Sequence, residues 1–371
     1  MSRLRLTVQT AVIGLLLTLA VSEEAGATAF TFTKITDTQG RFNNFASPSI
    51  NNKGTVAFKA VLDGGGEGIF TSSGGPITTI TTTSNFATTS SGPLGFSAPS
   101  INNSDTVAFT AARQTIETQV FVGLFTGKGG SLTTIANSSG SFSSFGTPSI
   151  NNKGTVAFNG GQSGVGNGIF TGSGGPITTI ANNPGRFAIF SSFSINDSGT
   201  VAFEASLDNT GSGIFTGSGG SITTITDTSG SFRYFVGASI NRAGAVAFRA
   251  GLQDQTSERI VISRGGAFTT IAESNIVSGR PFVIFVGVPS INNAGTVAFE
   301  ASLGAGNEGI FTGPDPVRDK VIASGDSLFG STVTTVGFLQ EGLNDAGQVT
   351  FVAQLTNGTQ AIVRANPATG S

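Results

Sequence analysis

Val56-Ala57-Phe58 puts two large apolar side chains on one side of an extended chain and a small one on the other, and the chain repeats this triplet at regular intervals. "VAF" stands at 56–58, 107–109, 156–158, 201–203, 246–248 and 297–299, and "VTF" at 349–351. A period of two marks a strand, because successive side chains point to opposite faces. Each triplet belongs to a unit with three further strand-like pieces. "PSI" or a relative comes before it, itself preceded by a Phe (Phe45, Phe96, Phe145, Phe190, Phe235, Phe285 and Phe338). "GIFT" follows at 68–71, 168–171, 213–216 and 309–312, and "GLFT", "RIVIS" and "AIVRA" fill the same slot elsewhere. "ITTI" (77–80) and its relatives end the unit. Thr, Ile, Val and Phe favour strands, and nothing here has a helical period.

Aligned on the Asn after "SI", the units start at Asn51, Asn102, Asn151, Asn196, Asn241, Asn292 and, as "GLN", Asn344. Three residues later stands Gly54, Gly154, Gly199, Gly244, Gly295 or Gly347, with Asp105 the exception. The stretch "PSINNKGTVAF" occurs unchanged at 48–58 and 148–158. "NNKG" is a short hairpin turn: the first Asn bonds its own turn, and Gly supplies a positive φ without steric cost. Asp105 suits that position because Asp enters the left-handed region more readily than most residues. "GSGGP" and "SSGGP" turn the chain between the third and fourth strands. Calcium loops want several carboxylates and these turns carry at most one, so Asn51 and Gly54 are read as structural.

Units of 45 to 52 residues with four strands each are the pattern of β-propeller blades. The seventh unit stops after "AIVRA", whereas "FTFTKITDT" (30–38) is a fourth strand with no unit before it. Together they predict an all-β, seven-bladed β-propeller of four-stranded blades, its ring closed by the N-terminal strand. A linear solenoid would need capping units instead.

Composition narrows the chemistry. The 371 residues include 54 Gly and 31 Phe but no Cys and no His. Cys nucleophiles, His bases, Ser-His-Asp triads and His- or Cys-ligated zinc are therefore excluded within one chain. Only 11% of residues are charged and the formal net charge is −2, so no nucleic-acid partner is expected. Arg3 and Arg5, the apolar run "AVIGLLLTLAV" (11–21) and the small residues of "AGATA" (25–29) read as an export signal over 1–29. A single propeller domain over 30–371, secreted or periplasmic, without a membrane span and monomeric, is expected after its removal.

The repeated Asn-x-x-Gly-x-x-Ala-Phe, seen in "NNKGTVAF", "NDSGTVAF", "NRAGAVAF" and "NNAGTVAF", resembles the repeat of the NxxGxxAF family of exported bacterial proteins of cyanobacteria and planctomycetes. "NNSDTVAF" lacks the Gly and "NDAGQVTF" has Thr350 for Ala. The resemblance spans the chain after the leader and implies repeat architecture and export, with no agreed activity. Some relatives end in a hydrophobic sorting tail, and "RANPATGS" has none.

In a propeller the loops after the second and fourth strands share one face, opposite the NNKG and GSGGP turns. The residue after each triplet closes the second strand at that variable face: Lys59, Thr110, Asn159, Glu204, Arg249, Glu300 and Val352. Lys59, Glu204, Asp208, Arg249 and Glu300 are the candidate ligand-binding residues, with Glu67, Glu117, Glu258 and Glu308 in nearby loops. The competing reading is inter-blade ion pairs and solvated rim charges, worth little each. No catalytic residue, metal or cofactor is assigned. The functional expectation is a non-enzymatic binding scaffold for a polysaccharide, peptide or envelope protein. The alternatives are a lyase or hydrolase using acids at the channel mouth, and a structural matrix protein.

Overall fold

Each Val-Ala-Phe triplet lies in the second strand of an antiparallel sheet, and seven such sheets surround one axis. The computed structural model describes residues 29–86, 94–114, 119–183, 185–208, 211–277, 280–304 and 306–368. The leader assigned to 1–29 falls outside these residues except for Ala29, and Glu117 falls outside them too. The fourth blade shows the plan. Phe187–Ile195 is innermost, followed outward by Val201–Leu207, Gly211–Gly217 and Thr223–Asp227. In the first three blades the inner strand is broken, as in Phe42–Phe45 and Ser49–Ile50. Pro48, Pro99 and Pro148 fall in those breaks, where a residue without an N–H cannot serve the ladder. One 3-10 turn, Thr83–Asn85, is the only helical element among the described residues, and none of them forms a helix able to cross a membrane.

Packing between blades explains why the triplet reads large-small-large. Val201, Phe203 and Ala205 face the third blade and cluster with its Ala157, Ile169 and Ile180. Ala202, on the opposite face, meets the fifth blade together with Ile214. Within the fourth blade Phe187, Phe190, Phe203 and Phe215 interlock, with centroids 5.0 Å apart for Phe187 and Phe215. A Phe bundle therefore packs on a shallow Ala/Ile surface at this joint, and the edge-on ring contacts add to the area buried. At the seventh blade Val333, Val336 and Leu355 take the place of most of the rings. The Gly of "GIFT" makes room for the ring two residues on: a Cβ on Gly213 would lie 2.7 Å from the Phe215 ring.

The last blade combines Ser331–Gly337, Val349–Leu355 and Gln360–Pro367 with Phe30–Asp37 from the other end of the chain as its outermost strand. Phe30 pairs with Pro367 and Asp37 with Ala361. Ile35, Val352 and Ile362 then pack on Phe42, Phe45, Phe58 and Phe70 of the first blade. The ring is closed, as the missing fourth strand predicts.

At the turn face the repeated Asn has two duties. Its Oδ1 caps its own turn, accepting the N–H of Lys153 and of Thr155 at Asn151. Its Nδ2 donates to the backbone carbonyl of the equivalent Asn in the next blade. These bonds run Asn51 to Asn102 (2.9 Å), Asn102 to Asn151 (3.1 Å), Asn151 to Asn196 (2.9 Å) and Asn196 to Asn241 (3.2 Å). They continue Asn241 to Asn292 (3.1 Å), Asn292 to Asn344 (3.2 Å) and Asn344 back to Asn51 (2.9 Å). The turn that presents each Asn needs a positive φ, found at Gly54 (77°) and at Asp105 (61°) alike.

A second ring runs just outside. The N–H of Asn52 donates to the Asn103 side chain at 2.8 Å, and the pattern continues through Asn152, Asp197, Asn293 and Asp345. Arg242 carries no acceptor, and at that step its guanidinium reaches Asp197 at 3.3 Å instead.

Asn151→Ala leaves buried donors and a buried carbonyl unpaired, and should cost about 3 kcal/mol in denaturant unfolding. Asn151→Asp keeps the turn acceptor but turns the inter-blade donor into an anion facing a carbonyl. It should be as unstable at neutral pH and recover in acid, where the protonated carboxyl can donate. Equal stability of Asn151→Asp and the native chain at pH 7 would contradict the ring's role.

Candidate functional site at the channel mouth

The seven inner strands enclose an axial channel whose wall is built from the repeat. Above the Asn ring lies a ring of Ile50, Ile101, Ile150, Ile195, Ile240, Ile291 and Leu343. Above that is a small chamber of about 150 Å³ lined by Ser149, Ser194, Ser239 and Ser290. Several of these hydroxyls tie neighbouring blades: Ser194 Oγ accepts the Ile240 N–H at 2.8 Å and Ser239 Oγ accepts that of Ile291 at 3.3 Å, and Ser100 Oγ likewise accepts that of Ile150 at 2.9 Å.

The seventh blade breaks the pattern. Where the other units carry a Ser before the apolar residue, it reads Gln340-Glu341-Gly342-Leu343. A tight turn, with the Gly342 N–H donating to the Leu339 carbonyl at 2.9 Å, carries Gln340 and Glu341 into the channel. Gln340 Nε2 donates to the Phe193 carbonyl at 2.6 Å and Ser192 Oγ donates to its Oε1 at 2.8 Å, so this side chain spans to the fourth blade. The Glu341 carbonyl accepts the Ile50 N–H at 3.0 Å. Its carboxyl is hydrogen-bonded by the hydroxyls of Ser100 and Ser149. Enclosure in the channel pushes that carboxyl up to about 7, against the downward pull of the two hydroxyls.

Gln340 and Glu341 line both the chamber and a larger cavity of about 420 Å³ toward the variable face. They therefore form the floor of the mouth. Its walls include Pro48, Pro99 and Pro148 from the first three blades and Phe193, Val288 and Leu339 from across the channel, with Asn159, Ser191 and Ser192 as polar points.

The residues singled out from sequence are arranged differently. Lys59 pairs with Glu67 at 3.1 Å, and Arg249 with Glu258 at 2.8 Å. Glu204 accepts the Gly237 N–H at 2.9 Å and Glu300 the Phe338 N–H at 3.2 Å. Glu67 likewise accepts from Phe96, Glu258 from Phe285, and Gln360 from Phe45. Tyr234 also donates its hydroxyl to Glu258. These side-chain oxygens each take a backbone N–H from the inner strand of the next blade, so they link blade to blade. Asp208 is exposed on its loop. The five candidates lie in the first, fourth, fifth and sixth blades and none of them lines the mouth cavity, although Asn159, in the equivalent position of the third blade, does. Burial raises the Glu204 carboxyl, and burial together with the charge of Glu308 raises Glu300 to about 7. Gln340 and Glu341 were not among the sequence candidates. The available signal was the loss of Ser in the "GLN" unit and the polar pair before it.

The sequence matches the family DUF7453, a family of unknown function, over residues 22–274 and again over 142–365. No curated protein matches it in sequence. Solved structures with the same architecture include an oligogalacturonate lyase from Vibrio parahaemolyticus. It is 12% identical, with a TM-score of 0.56, covering 92% of this chain and 98% of the other. A puromycin hydrolase is 11% identical with a TM-score of 0.53, covering 86% of this chain and 49% of the other. A prolyl oligopeptidase from Galerina marginata is 7% identical with a TM-score of 0.53, covering 85% and 46%. At such identities the likeness extends to the fold.

Glu300 and Glu341 bind protons more tightly folded than unfolded, where a Glu ionises near 4.5. Their contribution is complete below about pH 4.5 and is lost as pH rises through about 7. The melting midpoint should accordingly fall between pH 5 and 8, by the equivalent of on the order of 2 kcal/mol per group. Glu300→Gln keeps an acceptor for Phe338 and should flatten that fall. An unchanged slope in Glu300→Gln would show that Glu300 does not carry it.

Proposed function

Since the chain belongs to DUF7453, a family of unknown function, its role must be argued from its own site, and we propose an exported, non-enzymatic binding scaffold that takes its ligand in the channel mouth. The observation that carries this reading is the cavity of about 420 Å³ at the variable face. It is floored by two polar side chains and walled largely by apolar ones, with a size inside the ~300–1,000 Å³ range of small-ligand sites. The leader-like segment with Arg3, Arg5 and the apolar run 11–21, together with the NxxGxxAF resemblance, favours a place outside the cytoplasm. A polysaccharide end, a peptide or an envelope protein segment presented to a monomeric propeller domain over 30–371 fits that setting.

Acid-base hydrolysis is the competing reading, since the fold also serves enzymes. It needs two carboxyl groups facing one substrate. Among the described residues that line the mouth, Glu341 is the one with a carboxyl side chain, and Glu204 and Glu300 are engaged by the backbone of neighbouring blades. That arrangement favours holding a ligand over cleaving it.

Thermal unfolding of residues 30–371 against oligosaccharides, short peptides and small amines tests the proposal. A ligand at ~100 times its dissociation constant adds about 2.7 kcal/mol to the native state. A raised midpoint that disappears in Ser191→Trp, which fills the mouth from an exposed position, is expected, with the ligand recovered intact by mass spectrometry. A raised midpoint unaffected by Ser191→Trp would move the site elsewhere, and conversion of the ligand would make the protein an enzyme.

A further inference from the structure

Glu341 is a half-buried acid lining the channel, and the groups that act on its carboxyl are two serine hydroxyls with no cation among them. The basic residues nearest in the repeat pattern are already paired, Lys59 with Glu67 and Arg249 with Glu258. A second group in the same cavity is also incomplete. Ser49 Oγ is buried, with the residue 2% exposed, and has no hydrogen-bond partner. Ser49 lines the mouth, and its neighbour Ile50 donates to the Glu341 carbonyl, which sets Ser49 against the turn that carries the acid. A buried hydroxyl or carboxyl oxygen left without a donor is destabilising, so both groups gain from a ligand that donates.

From this geometry we propose that the mouth cavity recognises a primary ammonium group on an apolar stem, with Glu341 as its counter-charge and Ser49 Oγ as a second acceptor. The inference rests on the binding reading given above and specifies its ligand. An ammonium is a compact head with three donors and no acceptor, which suits one carboxyl beside one hydroxyl. An anionic head would face Glu341 directly, and a neutral sugar would leave its charge uncompensated. The stem would lie against the rings of Pro48, Pro99 and Pro148 on one side and Leu339 on the other, all apolar surface. The raised proton affinity of Glu341, at about 7, is what a carboxyl without its counter-cation should show. Two sources carry this chemistry, a free alkylamine and the lysine side chain of a peptide.

Isothermal titration of the full mature chain at pH 8 with n-pentylamine, Nα-acetyl-lysine amide and their uncharged counterparts, 1-pentanol and Nα-acetyl-norleucine amide, separates the possibilities. At least one amine should bind tenfold or more tightly than its uncharged counterpart, and Glu341→Gln should remove that margin. Ser49→Ala should weaken the same amine about threefold. Binding of the lysine derivative alone assigns the site to peptides, and equal binding of both amines assigns it to the ammonium group itself. Melting curves of each variant verify folding, and Glu341→Gln, which removes a buried charge, should melt no lower than the native chain. Equal affinity for charged and uncharged compounds, full amine affinity in Glu341→Gln, or no heat with either amine would overturn the inference. In those cases a panel ligand still blocked by Ser191→Trp would leave the broader binding reading standing.

Discussion

The side-chain amide of one asparagine per blade holds the centre of this molecule together. Near the axis seven strands converge, and each delivers a backbone carbonyl into a space where water cannot serve it freely. The Nδ2 of the preceding blade's Asn fills that need, while the Oδ1 of the same residue fixes the turn that presents it. Ser lacks the reach and Asp lacks the donor, so few side chains could do both. Each bond contributes modestly when made and costs more when a buried partner is left alone. Because Asn344 bonds back to Asn51, the chain of bonds has no end, while the N-terminal strand closes the outer edge of the last blade.

The same solution recurs, less regularly, on the opposite face. Glu67, Glu204, Glu258, Glu300 and Gln360 each accept an N–H from the next blade's inner strand. Residues that look like a rim of free charge are therefore engaged in joining blades, and two of them, Glu204 and Glu300, have raised proton affinity because of where they are held. A perturbed carboxyl in this fold is not by itself a sign of chemistry.

Function, in a ring of near-identical blades, depends on where the repetition fails. Six units bring a Ser-Ile pair to the channel wall, and the seventh brings Gln340 and Glu341 into the channel itself. That one departure divides the channel, makes a floor for the mouth and places the carboxyl of Glu341 between the chamber and the mouth cavity. The neighbours of known structure share the architecture at 7 to 12% identity, so the mouth residues of this chain carry the functional argument.

Much of this was open to reading in the sequence, because it is local. Strand periodicity at Val56-Ala57-Phe58, the turn at Asn51 to Gly54 and the missing fourth strand after "AIVRA" follow from residues within one unit or from counting units. The partner of each side chain did not. Glu204 was legible as the residue closing a strand, but its bond to Gly237 depends on how closely the next blade packs. Asn51 was legible as a turn residue, but its amide's reach to the Asn102 carbonyl exists only once the ring is curved. Gln340 meets Phe193 across 147 residues of chain, and no period or propensity encodes that approach. Short-range sterics and hydrogen bonding determined the units. Only the closed ring, which brings seven distant segments to one axis, decided which groups share the channel and that Glu341 stands at the floor of its mouth.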